Sequence, residues 1–126
     1  KDAETKKKIE LAGMKAVIKY ETEQLRTPTD VSLEFVGYDI KSTSNEEIRY
    51  IEVKAFENTG IVEMTENEWK TAQKLKENYW LYVVENALNE TKKKIFTIRN
   101  PSERFKEVKI IRQETRYLIS DWKTKI

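Results

Sequence analysis

Residues 3–25 carry a helical period, in which Leu11, Met14, Ile18 and Leu25 step along one stripe. At about 100° per residue, Glu21 points between Val17 and Leu25, so a carboxylate stands where the pattern calls for an apolar side chain. It can leave for solvent at the helix end, pair with Lys54 or Arg26, or be carried by the docked helix to a shared acidic site. Thr27-Pro28-Thr29 stops the helix, because a residue before proline avoids helical backbone. The period then changes to two. Val31 to Phe35 alternates as a strand, Gly37 permits a turn or bulge, Tyr38 to Ser42 alternates again, Ser44 to Glu47 turns, and Arg49 to Phe56 is the next strand. Thr65-x-x-Glu68 is a capping box that starts a second helix, with Trp69, Ala72 and Leu75 on its buried face. The unbroken run Tyr79 to Val84 predicts a strand covered on both faces. Asn86 to Glu90 turns, Lys94 to Ile98 is a further strand, Asn100-Pro101 a stop, and 108–111 with 116–119 closing strands or a strand pair. Helix, three strands, helix, strand and a β-rich tail make an α/β fold with a mixed sheet flanked by helices.

A hairpin turning at Asn45-Glu46 sets Asp39 directly opposite Glu52, with Cβ atoms roughly 4.5–5.5 Å apart. Lys54 and Lys41 share their face, while Ile40 opposite Ile51 and Tyr38 opposite Val53 form the apolar one. Both faces therefore agree on one register. Opposed like charges destabilise a hairpin unless a cation holds them, which points to a divalent ion and a cleavage reaction. The alternative is a cross-strand salt bridge among Asp39, Lys41, Glu52 and Lys54.

Composition narrows the chemistry. A chain of 126 residues supports one domain, 1–126, with a real core. No apolar run approaches the roughly 20 residues that span a bilayer, so no membrane role is expected. The first residues lack the apolar core of a signal peptide, and both ends are lysine-rich, as in a domain excised from a larger protein. The absence of cysteine suits a reducing, cytoplasmic interior and removes thiol chemistry. With no histidine, Ser-His-Asp and Cys-His catalysis and His-ligated zinc are excluded within this chain. Acid, base and metal work falls to Asp, Glu, Lys and Tyr, and an all-oxygen donor set favours Mg²⁺, Mn²⁺ or Ca²⁺. The net charge of +2 is not that of a passive nucleic-acid coat, and the runs Lys6-Lys7-Lys8 and Lys92-Lys93-Lys94 read first as solvated surface. There is no glycine-rich phosphate loop.

An acidic residue on the second strand and E-x-K on the third, in the order αβββαβ, resemble the PD-(D/E)xK nuclease superfamily and its restriction-endonuclease-like core. Gly37-Tyr38-Asp39-Ile40, Tyr50-Ile51-Glu52-Val53-Lys54, Thr65-x-x-Glu68-Trp69 and Tyr79 to Val84 together look like the domain of unknown function at the C-terminus of NO VEIN-type proteins. The resemblance implies that Asp39 and Glu52 bind Mg²⁺ (or Mn²⁺) with the carbonyl of Val53. Lys54 would orient or deprotonate the attacking water, and Glu21 would be an extra ligand from the first helix, with Glu23 nearby. Tyr38 stands where the superfamily's name has proline, a position that varies. The implied activity is Mg²⁺-dependent endonucleolytic cleavage of DNA, beside helicase or restriction-system domains, with a homodimer where both strands are cut. The alternatives are an inactive nuclease-like fold that binds DNA or protein, and an interaction module using Trp80 or Trp122.

Overall fold

The computed structural model describes residues 2–106, 108–111 and 115–126. The elements are α1 (Ala3–Glu23), β1 (Thr27–Asp30), β2 (Ile40–Thr43), β3 (Ile48–Ala55), β4 (Val62–Thr65), α2 (Glu66–Leu75), β5 (Tyr79–Glu85), β6 (Lys94–Arg99), α3 (Pro101–Arg104), β7 (Lys109–Ile111) and β8 (Arg116–Ile119). Five strands form a mixed sheet in the order β1-β2-β3-β5-β6, with β3 and β5 parallel. A second sheet has the order β4-β8-β7. The expected αβββαβ order is present in α1, β1 to β3, α2 and β5, with β4 inserted before α2. No helix among the described residues is long and apolar enough to cross a membrane.

Asp2 caps α1 by accepting the Thr5 N–H at 2.7 Å. The face that α1 buries differs from the predicted stripe: Ile9, Gly13, Ala16, Val17 and Glu21 are buried, whereas Leu11 and Leu25 are exposed. Small residues decide this. A Cβ on Gly13 would overlap that of Ala55, so the helix meets β3 on its small-residue side; Met14 and Ile18 of the predicted stripe still pack at the edge of that core, half-buried. The first strand is also displaced. Thr27–Asp30, not Val31 to Phe35, forms β1, and Pro28 is tolerated because β1 is an edge strand. The Asp30 carboxylate then accepts the Ser32 N–H at 2.9 Å and its hydroxyl at 2.7 Å, turning the chain into a short 3₁₀ turn, Ser32–Glu34.

The β2–β3 hairpin has the expected register, from Ile40 opposite Ile51 to Thr43 opposite Ile48. Its ladder ends at Ile40. Gly37 has φ 90°, and Tyr38 packs on the α2 side against Tyr50, with ring centroids 4.9 Å apart, while Val53 packs on the α1 side. The expected Tyr38/Val53 pair is therefore not formed, because the chain kinks at Gly37 before it enters the strand. Ile40, Ile51, Tyr82 and Val84 meet α1 on one face of the sheet; Tyr79, Leu81 and Val83 meet Trp69 and Ala72 of α2 on the other. Trp122 is buried in that second core and donates its indole N–H to the Gly60 carbonyl at 2.9 Å, so it presents no interaction surface.

Candidate metal centre

The end of the β2 ladder creates the site. Past Ile51, β3 runs on to Ala55 paired only with β5, and a cavity of about 620 Å³ opens beside that uncovered stretch. Asp39, Glu52, Val53, Lys54 and Glu68 line it. The Asp39 carboxylate stands in for the missing ladder: its Oδ2 accepts the Val53 N–H at 2.9 Å, while its own N–H donates to the Ile51 carbonyl at 2.8 Å. The carboxylate is thereby held in one orientation next to Glu52. Gly37 fixes the approach, since its carbonyl accepts the Tyr79 hydroxyl at 2.8 Å and a Cβ there would overlap Thr71.

Lys54 lies between two carboxylates, 3.2 Å from Glu52 and 2.9 Å from Glu68, with its side chain 19% exposed and that of Glu52 4%. Glu68 serves twice. Its Oε1 also accepts the Thr65 N–H at 3.0 Å, completing the capping box of α2. Burial pushes the Asp39 carboxyl up. Burial also raises Glu52 well above the usual carboxylate range, and the nearby Glu68 and Asp39 charges add to that despite Lys54. Burial alone would raise Glu68, but Lys54 and the Thr65 amide outweigh it and hold it below its ordinary value. For Lys54, burial would favour the neutral amine, yet Glu52 and Glu68 outweigh it and raise its pKa.

Three carboxylates face one ammonium, so full ionisation leaves an excess of two negative charges in a largely buried cluster. Among the described residues no three acidic side chains converge on one point that a metal could occupy. The donor set is the pair Asp39 and Glu52 at a cavity. That pair fits a hard divalent cation of the Mg²⁺ type, which takes one or two carboxylates and keeps water or phosphate for the rest of its shell.

Glu21 is not brought to this cluster. It is fully buried on the α1 side, where its Oε2 accepts from Arg26 Nη2 at 2.8 Å and the Tyr82 hydroxyl at 2.7 Å. Arg26 also reaches Glu47 at 3.3 Å, and Arg49 joins Glu47 at 2.7 Å and Tyr82 at 2.8 Å. These hydrogen bonds outweigh burial and hold the Glu21 carboxyl below its ordinary value. Glu23 and Lys41 are exposed. Glu68 is the residue that sequence reading did not assign to the site; its one visible signal, the capping box, accounted for its carboxylate on local grounds alone. Of the lysine runs, Lys7 lines the cavity, whereas Lys93 pairs with Glu90 at 2.9 Å.

No curated protein and no solved structure matches the chain. A family model described as Protein NO VEIN, C-terminal, matches residues 9–98, a span that holds Asp39, Glu52, Lys54 and Glu68, and the chain belongs to that family.

Proposed function

We propose that the chain is a Mg²⁺-dependent nuclease domain that hydrolyses phosphodiester bonds of DNA within a restriction or DNA-processing protein. One observation carries the reading: the half-buried Asp39 and the buried Glu52 line one cavity together with Lys54. Asp39 just before β2, with Glu52-x-Lys54 on the adjacent β3, matches the PD-(D/E)xK resemblance, and the chemistry needs no histidine. Asp39, Glu52 and the Val53 carbonyl would hold Mg²⁺ (or Mn²⁺), which when bound would lower the pKa of a water and offset charge on the phosphate. Asp39 contributes a fixed carboxylate, because the Val53 amide removes its rotational freedom. Lys54 is held protonated by its two neighbours, which suits it to orient water and stabilise the charge of the pentacovalent phosphate. Glu68 keeps the ammonium in place. Glu21 acts at a distance, by securing α1 to the sheet.

The test combines calorimetric titration of Mg²⁺ with cleavage of plasmid DNA in Mg²⁺, Mn²⁺ or EDTA. Metal-dependent cleavage that is lost in Asp39→Asn and Glu52→Gln, with both variants still folded, is the expected result. Unchanged cleavage in both variants defeats the assignment. The engagement of Lys54 by two carboxylates favours a second reading, a nuclease-like fold that binds DNA without cutting it. That reading gains if Mg²⁺ does not bind while DNA binding persists and weakens steeply with salt.

A further inference from the structure

The turn between β1 and β2 leaves Leu33 86% and Phe35 84% exposed. Phe35 also has φ 54°, in the left-handed region, where a bulky residue is an outlier maintained only by its surroundings. Neither core packing nor local backbone preference accounts for this side chain. Yet the turn is tied at both ends: Asp30 bonds Ser32, the Val31 N–H donates to the Asp39 carbonyl at 2.8 Å, and Tyr79 holds Gly37. Phe35 lines the same cavity as Asp39, Glu52 and Lys54, and so does Lys7.

We infer that Phe35 is a stacking platform for an unpaired base of a single-stranded nucleic acid whose backbone reaches the acidic centre. The inference rests on the phosphodiester reading given above for the place of the phosphate. A flat ring and a lysine lining one cavity are the elements that single-strand binders combine, because an unstacked base offers its π-face while the cation follows the backbone. In a duplex those faces are hidden by neighbouring bases. The cavity wall carries Glu10 and Glu63 as well as Lys7, which is not the cationic array that grips both backbones of a duplex. A protein partner fits less well. Stable interfaces bury about 800 Å² on each side around a charge-depleted centre, and a protein covering this rim would seal in the excess negative charge of the cluster.

The experiment measures fluorescence anisotropy of labelled oligo(dT) and of a duplex of equal length with the whole chain in Ca²⁺. Gels run alongside separate binding from cutting. The expected result is a preference for the single strand, a loss of about 5- to 150-fold for Phe35→Ala, the range that stacking of one base supports, and near-normal binding by Phe35→Trp with quenching of the new indole. Phe35→Ala should unfold no earlier than the parent chain. Wild-type affinity in Phe35→Ala, a preference for duplex, or an effect of Phe35→Ala on self-association alone overturns the inference. Phe35-dependent binding with no cleavage in Mg²⁺ or Mn²⁺ defeats the nuclease reading and leaves the platform standing; cleavage with Phe35-independent binding does the reverse.

Discussion

Lys54→Met removes the ammonium that pairs with Glu52 and Glu68 and isolates the electrostatics of the centre from its chemistry. At an effective dielectric constant of about 20, charges 3.2 Å and 2.9 Å apart attract by about 5 and about 6 kcal/mol. Most of that is offset by the desolvation of Lys54, but removing one member of a buried pair still costs about 3–5 kcal/mol, because the partner charge stays behind. For a domain of this size the loss is a large fraction of total stability and lowers the Tm by roughly 10–20 °C. The loss should depend on pH. Glu52 has a folded pKa well above its unfolded value, so the stability it contributes is fully present below the unfolded value and lost as pH rises through the folded one. Without Lys54 that folded value climbs further, and the deficit of the variant is larger near about pH 8 than near about pH 5. Urea unfolding in EDTA, followed by circular dichroism at both pH values, measures it. Adding Glu52→Gln to Lys54→Met should restore part of the stability and remove the pH dependence that Glu52 causes, since of the two carboxylates that lost the ammonium only Glu68 then stays charged. A deficit under about 1 kcal/mol at the higher pH, or an equal deficit at both, refutes the view that a coupled buried charge cluster sits at this site.

Two further outcomes separate the faces of the sheet. Glu21→Ala should cost about 1.5–3 kcal/mol by removing the two-point partner of the largely buried Arg26, which keeps Glu47 at 3.3 Å, yet leave Mg²⁺ affinity unchanged, since Glu21 lies away from Asp39. Its lowered pKa means that its ionised form stabilises the protein above the unfolded carboxylate value, and that this is lost as pH falls through the folded value. Acid melting curves should accordingly be shallower for Glu21→Gln than for the parent chain. Gly37→Ala should cost more than about 1 kcal/mol, from its positive φ and the overlap with Thr71, and should also weaken Mg²⁺ binding by displacing Asp39. A calorimetric titration of a folded Gly37→Ala chain with undiminished affinity would sink that link.

Local signals carried the parts of the fold that were legible in the chain. The β2–β3 register follows from period-two alternation around one turn, α2 from its capping box, and β5 from an apolar run long enough to be covered twice. The face of α1 was only partly legible, because its closest approach is made by Gly13, whose size and not its hydrophobicity lets the helix lie on Ala55. Val31 to Phe35 alternates like a strand, but the Asp30 side chain bends the backbone away before a ladder can form. At four residues each, β4 and α3 are too short for periodicity to register. In the site, parity alone brought Asp39, Glu52 and Lys54 together. Glu68 came from a helix nearly as far along the chain again, a contact that no spacing rule contains.

The second sheet ties the third carboxylate of this centre to β8. Thr65 ends β4 and caps α2, and it is paired across the ladder with Arg116 of β8, while Trp69 in the next turn stacks on Tyr117 at 5.3 Å. The helix that delivers Glu68 to Lys54 is therefore clamped by a strand that follows it in the chain and lies beyond the matched span 9–98. Contacts of such long sequence separation form slowly, after the hairpin that carries Asp39, Glu52 and Lys54 has had time to close. The hairpin thus brings Lys54 together with the acidic pair, and the third carboxylate, Glu68, joins them from a helix braced against residues 116–119.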